Sequence, residues 1–310
     1  MGIICAAIAS FFCALGNLCM RRSIDHGGTT KGYLVIQFLS AIFLMILLNP
    51  VRTSQYTFNT PISLLALFAG ITLALMLFSV GKALEKGPPG LTFAFISSSS
   101  VVPAIVMATL FGAAFGHQYT LYHGLGSILV LLGLFWASRD VSETKAMRSW
   151  VIAICLAFLL HVAFLVIMQW RVLLITAPNL SAFYQLMSPT EANSQWFMPM
   201  IYVGAFLCQL LVFLFSEKRV TNSYETGYGI IGGLCNGGST FFLIQATEFA
   251  SPIENAMIFP VFSVLIIVVC NIWGKRLYDE KVNWKATQLC ITGLIIGTVD
   301  WSIVVKAFDF

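Results

Sequence analysis

Lys82, Ala83, Leu84 and Glu85, running on to Pro89, return 163 residues later as Gln245, Ala246, Thr247 and Glu248, running on to Pro252. The same offset sets Gly116, His117 and Gln118 over Asp279, Glu280 and Lys281. Nearer the start of each half, Cys5, Ala7 and Arg21 fall over Cys155, Ala157 and Arg171 at an offset of 150. The 13 residues between the two offsets are taken up by the polar stretch after Arg171. Cut near residue 145, the chain therefore reads as two copies of one unit, each with five long apolar segments. A unit with an odd number of membrane crossings inserts its second copy upside down, which is the inverted-repeat plan of many secondary transporters.

Composition points the same way. Of the 310 residues 58% are hydrophobic and 10% charged, with a mean hydropathy of +0.88. A water-soluble domain carries roughly 25% charged residues. Apolar stretches of membrane-spanning length run over 2–20, 33–49, 62–83, 91–114, 121–138, 150–170, 197–215, 228–249, 256–274 and 284–305. The fold class expected is an all-α membrane protein of ten transmembrane helices, built as two inverted five-helix repeats. The repeats cover 1–140 and 150–310, with a linker at 141–149. The second segment is short, and the fourth is expected to tilt or bend at Pro103. The first segment lacks a basic residue ahead of its apolar run, so it reads as a retained helix and not as a cleaved signal. The eight cysteines lie inside apolar segments without a CxxC pair, which indicates neither a disulfide framework nor a zinc site.

Loop charges orient the chain. Loops after odd-numbered segments hold Arg21, Arg22, Lys31, Lys82, Lys86, Arg139, Lys145, Arg148, Lys218, Arg219, Lys275, Arg276, Lys281 and Lys285. The other face holds Arg52, Arg171 and Lys306, so fourteen of the seventeen basic residues share one side. The positive-inside rule then puts both termini outside the cytoplasm, with a bacterial inner membrane as the expected location. No basic cluster is long enough to indicate nucleic acid. The loop over 171–196 falls on the outer face; it reads as an ordinary connection or as a lid over a vestibule, with a short helix expected over 182–186.

The stretches KALEKGPPG and QATEFASPI are each followed by an apolar helix, a short turn (GHQYT, YDEKVN) and a glycine-bearing last helix (HGLGSILVLLGLF, QLCITGLIIG). In this pattern, over nearly its whole length, the chain resembles the drug/metabolite transporter superfamily, in particular its ten-helix EamA-like members. The resemblance implies a carrier with pseudo-twofold inverted halves. Segments one to four and six to nine would line a central cavity, with five and ten peripheral. Many members keep both termini in the cytoplasm; the charge distribution here argues the reverse, as in some sugar-transporting relatives.

Ionisable groups at membrane depth mark a pathway or a partner. His161, midway along the sixth segment, is either a hydrogen-bonded structural residue or the foremost candidate for substrate contact or proton coupling. Its repeat mate is Phe11, so such a site is asymmetric. Glu85 and Glu248 hold equivalent positions and read as a pair of gates, as local ion pairs, or as caps; Ser251 and Glu254 have capping-box spacing. Ser97, Ser98, Ser99 and Ser100 point all around the fourth segment, so at least one meets a neighbour or a cavity. Gly233 and Gly237 fit close helix packing, the alternative being an unwound stretch that meets substrate. With Phe95, Asn17, Gln37, Gln169, Trp170, Asn236 and Gln245, these residues supply the candidate substrate contacts.

The function expected is a secondary transporter moving a small polar or amphipathic metabolite (an amino acid, nucleoside or sugar derivative) by alternating access. Its partners would be that substrate, the bilayer, and protons or a counter-exchanged metabolite, with the chain acting as monomer or homodimer. No ATP-binding motif GxxxxGK[ST] occurs, and no cofactor, metal or catalytic residue is expected. The alternatives are a lipid-handling or structural subunit and, further off, an intramembrane enzyme, for which HExxH, GxSG and facing aspartates are all missing from the sequence.

Overall fold

The computed structural model describes residues 1–112, 120–139, 145–176, 187–249 and 252–299, with 301 and 304. Side chains 104, 138–139, 145–146, 176, 247–248, 252–253 and 255–257 fall outside that description. Every regular element among the described residues is helical. In chain order they are α1 (Gly2–Asp25), α2 (Thr30–Ile46) continued by a π turn (Leu47–Val51), α3 (Thr60–Leu84), α4 (Pro89–Ser98), a 3-10 turn (Ser99–Val101) and α5 (Val102–Leu110). There follow α6 (Leu121–Arg139), α7 (Lys145–Thr176), the short α8 (Pro189–Ala192), α9 (Phe197–Glu217), α10 (Ser223–Phe249), α11 (Pro252–Tyr278) and α12 (Trp284–Thr298).

Local chemistry sets many of the boundaries. Thr29 caps α2 by accepting from the Gly32 N–H at 3.1 Å, and Asn283 caps α12 through the Ala286 N–H at 3.0 Å. Prolines open α3, α4 and α5, where a missing N–H goes unnoticed. Pro50 lies inside a helix, and there the chain widens into the π turn, carrying the second segment to Val51. The capping box found is Ser188 with Glu191, at the start of α8. Glu254 instead receives the amino terminus of Met1 at 2.9 Å, and Ser251 is outside the described residues.

Among the described residues seven helical stretches are long and apolar enough to cross a membrane: Gly2–Asp25, Thr30–Val51, Thr60–Leu84, Pro89–Leu110, Met147–Ile175, Phe197–Glu217 and Ile258–Tyr278. The fourth of these includes the turn at Ser99–Val101. Leu121–Ala137 is apolar but shorter. α10 is long enough, but its glycines, Asn236, Ser239 and Thr240 dilute its hydropathy.

Eight helical columns close into a ring in the order α1, α10, α2, α9, α3, α7, α4–α5, α11 and back to α1, while α6 pairs with α12 and packs on α4, α5 and α11. Helix directions follow from which residues meet. Met1 meets Glu254, Asn17 meets Cys270 and Tyr278 meets Asp25, so α1 and α11 run parallel. Ser239 donates to the Ala9 carbonyl while Gly16 abuts Cys235, so α10 runs against α1. α6 and α12 cross antiparallel and so closely that a β-carbon on Gly293 would sit 2.7 Å from the Val130 nitrogen. The outer faces carry large exposed apolar side chains such as Phe43, Leu64, Phe68, Leu131, Phe135 and Leu159, a surface suited to hydrocarbon and not to water.

The glycine-rich stretch of α10 takes the packing reading and not the unwound alternative: α10 is continuous from Ser223 to Phe249, with Gly233 against Ser40 and Gly237 against Leu44. The break falls instead in the serine run. Pro103 has no N–H for the Ser99 carbonyl, and α4 passes into a 3-10 turn there. Arg171, taken as the start of a loop, lies on the last turns of α7. The helix expected over 182–186 lies outside the described residues.

Candidate functional site

The break between α4 and α5 exposes main-chain groups beside α7. There the His161 Nδ1 lies 3.0 Å from the Ile96 carbonyl oxygen and 2.5 Å from the Ser99 Oγ. A carbonyl only accepts, so Nδ1 carries the hydrogen, and Nε2 is the ring nitrogen left for a further partner. The Ser99 hydroxyl donates in turn to Ile96 at 2.7 Å. Ser100 donates to the Ser97 carbonyl at 2.8 Å, and its Oγ meets the Ser263 Oγ of α11 at 3.2 Å. Ser98 is fully buried, and its hydroxyl has no partner among the described residues. One half-buried imidazole and a cluster of hydroxyls thus converge on a single helix break.

A second polar group joins α9 and α10. The Tyr202 hydroxyl donates to the Asn236 Oδ1 at 2.8 Å and lies 2.9 Å from the Thr240 Oγ1. On α1, Asn17 reaches the Cys270 sulfur at 4.0 Å, and the Tyr33 hydroxyl donates to the Gly16 carbonyl at 3.1 Å. Gln37 is buried with its Oε1 unpartnered among the described residues, as is the Trp170 indole N–H. Gln245 is buried in α10. Phe95 packs edge-on against Trp150 at 5.7 Å, while Gln169 is half-buried on α7.

Glu85 binds Lys82 at 2.7 Å and accepts from Thr30 at 2.8 Å, at the end of the ring that carries most of the basic residues. The Glu248 side chain is outside the described residues. Arg21 spans the same basic end, its guanidinium donating to the Leu84 carbonyl of α3 and lying 5.1 Å over the Tyr278 ring of α11. Arg171 instead donates to the Ala192 carbonyl at 3.0 Å and stacks 4.3 Å from Phe197.

Sequence reasoning missed three groups. Glu225 is wholly buried at the basic end and accepts five hydrogen bonds: from Arg219 at 2.9 and 2.6 Å, from the Thr29 N–H and hydroxyl at 2.7 and 2.9 Å, and from the Asn222 N–H at 2.8 Å. Burial pushes its carboxyl upward, but Arg219 and the main-chain donors outweigh that and hold it below the usual carboxylate range. Glu280 meets the Gly90 N–H at the start of α4 at 3.0 Å, and burial pushes its carboxyl up to about 7 against the pull of that N–H and of Arg21. Ser263 was passed over because one serine in an apolar helix carries no signal until its partner is known.

Helices of this length and apolarity, with apolar side chains turned outward, define an all-α, multi-pass integral membrane protein. No family model and no curated protein matches the chain. A solved structure described only as "Crystal structure of protein" is similar over 100% of this chain and 99% of its own, with a TM-score of 0.64 and 12% identity. At that identity the likeness is one of fold alone.

Proposed function

We propose that the protein is a ten-helix secondary carrier of the drug/metabolite type, with inverted halves that alternate access to a site at the α4–α5 break. The observation that carries this reading is the ring. Exchanging each segment with its counterpart in the other half turns the α1–α10 contact into α7–α3, α3–α9 into α10–α2, and α1–α11 into α7–α4. All are present, and neighbours in the ring always come from opposite halves. The Ser100–Ser263 contact joins residues 163 apart, the repeat offset itself, and Val130 and Gly293 at the α6–α12 crossing are also 163 apart.

Such a ring rocks about its internal axis, and gradients supply the energy, through protons or through exchange for a second metabolite. Arg21 and Arg171 are repeat mates with different partners. Arg21 spans the ring and Arg171 stays at its rim, as expected of a state closed at the basic end. With fourteen basic residues there, that end faces the cytoplasm and both termini face away from it.

His161 is the main substrate contact, with Ser99 and Ser100 beside it; Asn236, Asn17 and Gln37 are candidates on the facing helices. Among the described residues no basic side chain joins the His161 cluster, which favours neutral, zwitterionic or cationic metabolites. The alternative of a lipid-handling or structural subunit draws on Asn236, whose amide is already engaged by Tyr202.

The deciding experiment is a thermal-shift screen of the detergent-purified protein against amino acids, nucleosides, sugars and organic cations. The carrier reading expects a class-selective rise in melting temperature that His161→Ala removes while the unliganded variant melts as the parent does. A screen with no hit, or a hit indifferent to His161, would turn the assignment towards the lipid-handling alternative.

A further inference from the structure

Outside the ring, where α6 and α12 lean on α4 and α11, the structure holds a cavity of about 270 Å³ at the basic end. Leu91, Ala94, Ile267 and Cys290 give it an apolar wall, Asn271 and Thr287 a polar one in which the Asn271 amide donates to the Thr287 hydroxyl, and Glu280 and Lys281 also line it. These adjacent residues have opposite charges, and among the described residues neither has an ion-pair partner within 4 Å. The Glu280 carboxylate is part-buried with one donor in contact, the Gly90 N–H, and feels the Arg21 guanidinium only from beyond ion-pair distance. Lys281 follows on an exposed turn. The α6 flank beside the cavity exposes Leu131, Leu132, Phe135 and Trp136, a surface for acyl chains with an interfacial tryptophan.

We propose that this cavity binds an aminophospholipid of the adjoining leaflet, its primary ammonium against Glu280, its phosphate against Lys281 and its glycerol and upper acyl carbons along the apolar wall. The charge order decides the head group. A carboxylate set into the cavity with a lysine at its edge matches a zwitterion whose cation can donate hydrogen bonds. An anionic head group meets Glu280 repulsively, and a quaternary ammonium has no N–H to give. A free zwitterion such as an amino acid would satisfy the two charges but leave the apolar wall uncovered. Because Gly90 opens α4, the lipid would brace the helix that carries Ser99 and Ser100, although its binding does not depend on what the protein transports.

The test uses the full chain, delipidated in detergent, with melting temperature read against added phosphatidylethanolamine, phosphatidylcholine, phosphatidylglycerol and free phosphoethanolamine. Phosphatidylethanolamine is expected to stabilise most, with free phosphoethanolamine weak. Lys281→Ala, on an exposed turn, is expected to melt as the parent does without lipid and to lose part of that increment. Glu280→Gln is expected to bring phosphatidylethanolamine down to the level of phosphatidylcholine. Ala137→Phe, which fills the cavity without touching either charge, is expected to abolish the preference and controls for any folding defect of Glu280→Gln. Equal shifts from all three lipids, a preference for the glycerol head group, or a full increment from free phosphoethanolamine would each overturn the proposal. A metabolite shift lost in His161→Ala reports on the central site alone, whereas a phosphatidylethanolamine shift lost only in that variant would overturn the proposal.

Discussion

Glu225→Gln tests whether the turn between α9 and α10 is clamped to the start of α2 by one buried carboxylate. One oxygen takes the Arg219 Nη2, the Thr29 N–H and the Thr29 hydroxyl, and the other takes the Arg219 Nη1 and the Asn222 N–H. Glutamine keeps one oxygen, which fits the threefold position, and turns its NH2 against the remaining two donors. Hydrogen bonds to a charged group contribute roughly 1.5–3 kcal/mol each. Removing one partner of a buried pair costs about 3–5 kcal/mol. Arg219 is one-third exposed and regains water, so the lower end applies, about 3 kcal/mol. Scaled from soluble domains at roughly 2–4 °C per kcal/mol, melting in detergent should fall by ~6–12 °C. Gly32 supplies the internal check, because a β-carbon there would lie 2.5 Å from both carboxylate oxygens. Gly32→Ala displaces the same carboxylate, so the double variant should be less unstable than the sum of the two, with a coupling of about 1–3 kcal/mol. The sign with pH is fixed as well. The folded carboxyl is depressed, so its contribution is full above the unfolded value and is lost as pH falls through the folded one. The gap between parent and Glu225→Gln should therefore hold at neutral pH and close on acidification below about 4.3. A variant that melts like the parent, or fully additive effects with Gly32→Ala, would refute the clamp.

Glu280 has the opposite sign: its folded value of about 7 lies above the unfolded one, so ionising it in place weakens the fold. Parent stability should decline as pH rises from about 4.3 through 7, Glu280→Gln should flatten that slope, and parallel melting curves would count against it. Arg21→Gln should raise labelling of Cys270, in a background free of other cysteines, by a membrane-impermeant maleimide added at the basic end; unchanged labelling would remove Arg21 as a barrier. Gly293→Leu should separate α6 from α12 and lower the melting temperature by several degrees, since its neighbours are the Val130 nitrogen and the Gly126 oxygen, main-chain atoms that cannot swing aside. A neutral result would mean that the two helices part without cost.

What was legible in the sequence was whatever runs long. Apolar stretches of about 20 residues fix most helix positions because backbone groups in hydrocarbon must bond within their own segment. The bend near Pro103 was legible for the same local reason, a missing donor at a known position. The candidate site was legible only in its rarest member. His161 stood out because an imidazole in an apolar helix is costly unless something answers it, and the structure supplies the Ile96 carbonyl and Ser99. Their role depends on where the helix breaks. The sequence offered two weak places for that break, the serine run and the glycines of α10, and composition alone does not rank them. Proline removes a hydrogen bond outright, whereas glycine only lowers the cost of losing one, so the break goes to the serine run ahead of Pro103 and the glycines go to close packing.

Glu225 was illegible for a different reason. Five residues beyond Val220, in a polar turn, it looks like any solvated loop carboxylate. Its burial comes from the N-terminus of α2, 196 positions away in sequence, through Thr29. Glu85 looked more important because it recurs in the repeat, and it proves to make a surface pair with Lys82 and a contact with Thr30. Recurrence marks what both halves need in order to fold alike. His161, Glu225 and Glu280 have no like residue at the matching offset, so only a group that is costly in its own segment, as His161 is, shows itself in the sequence, and the two carboxylates do not.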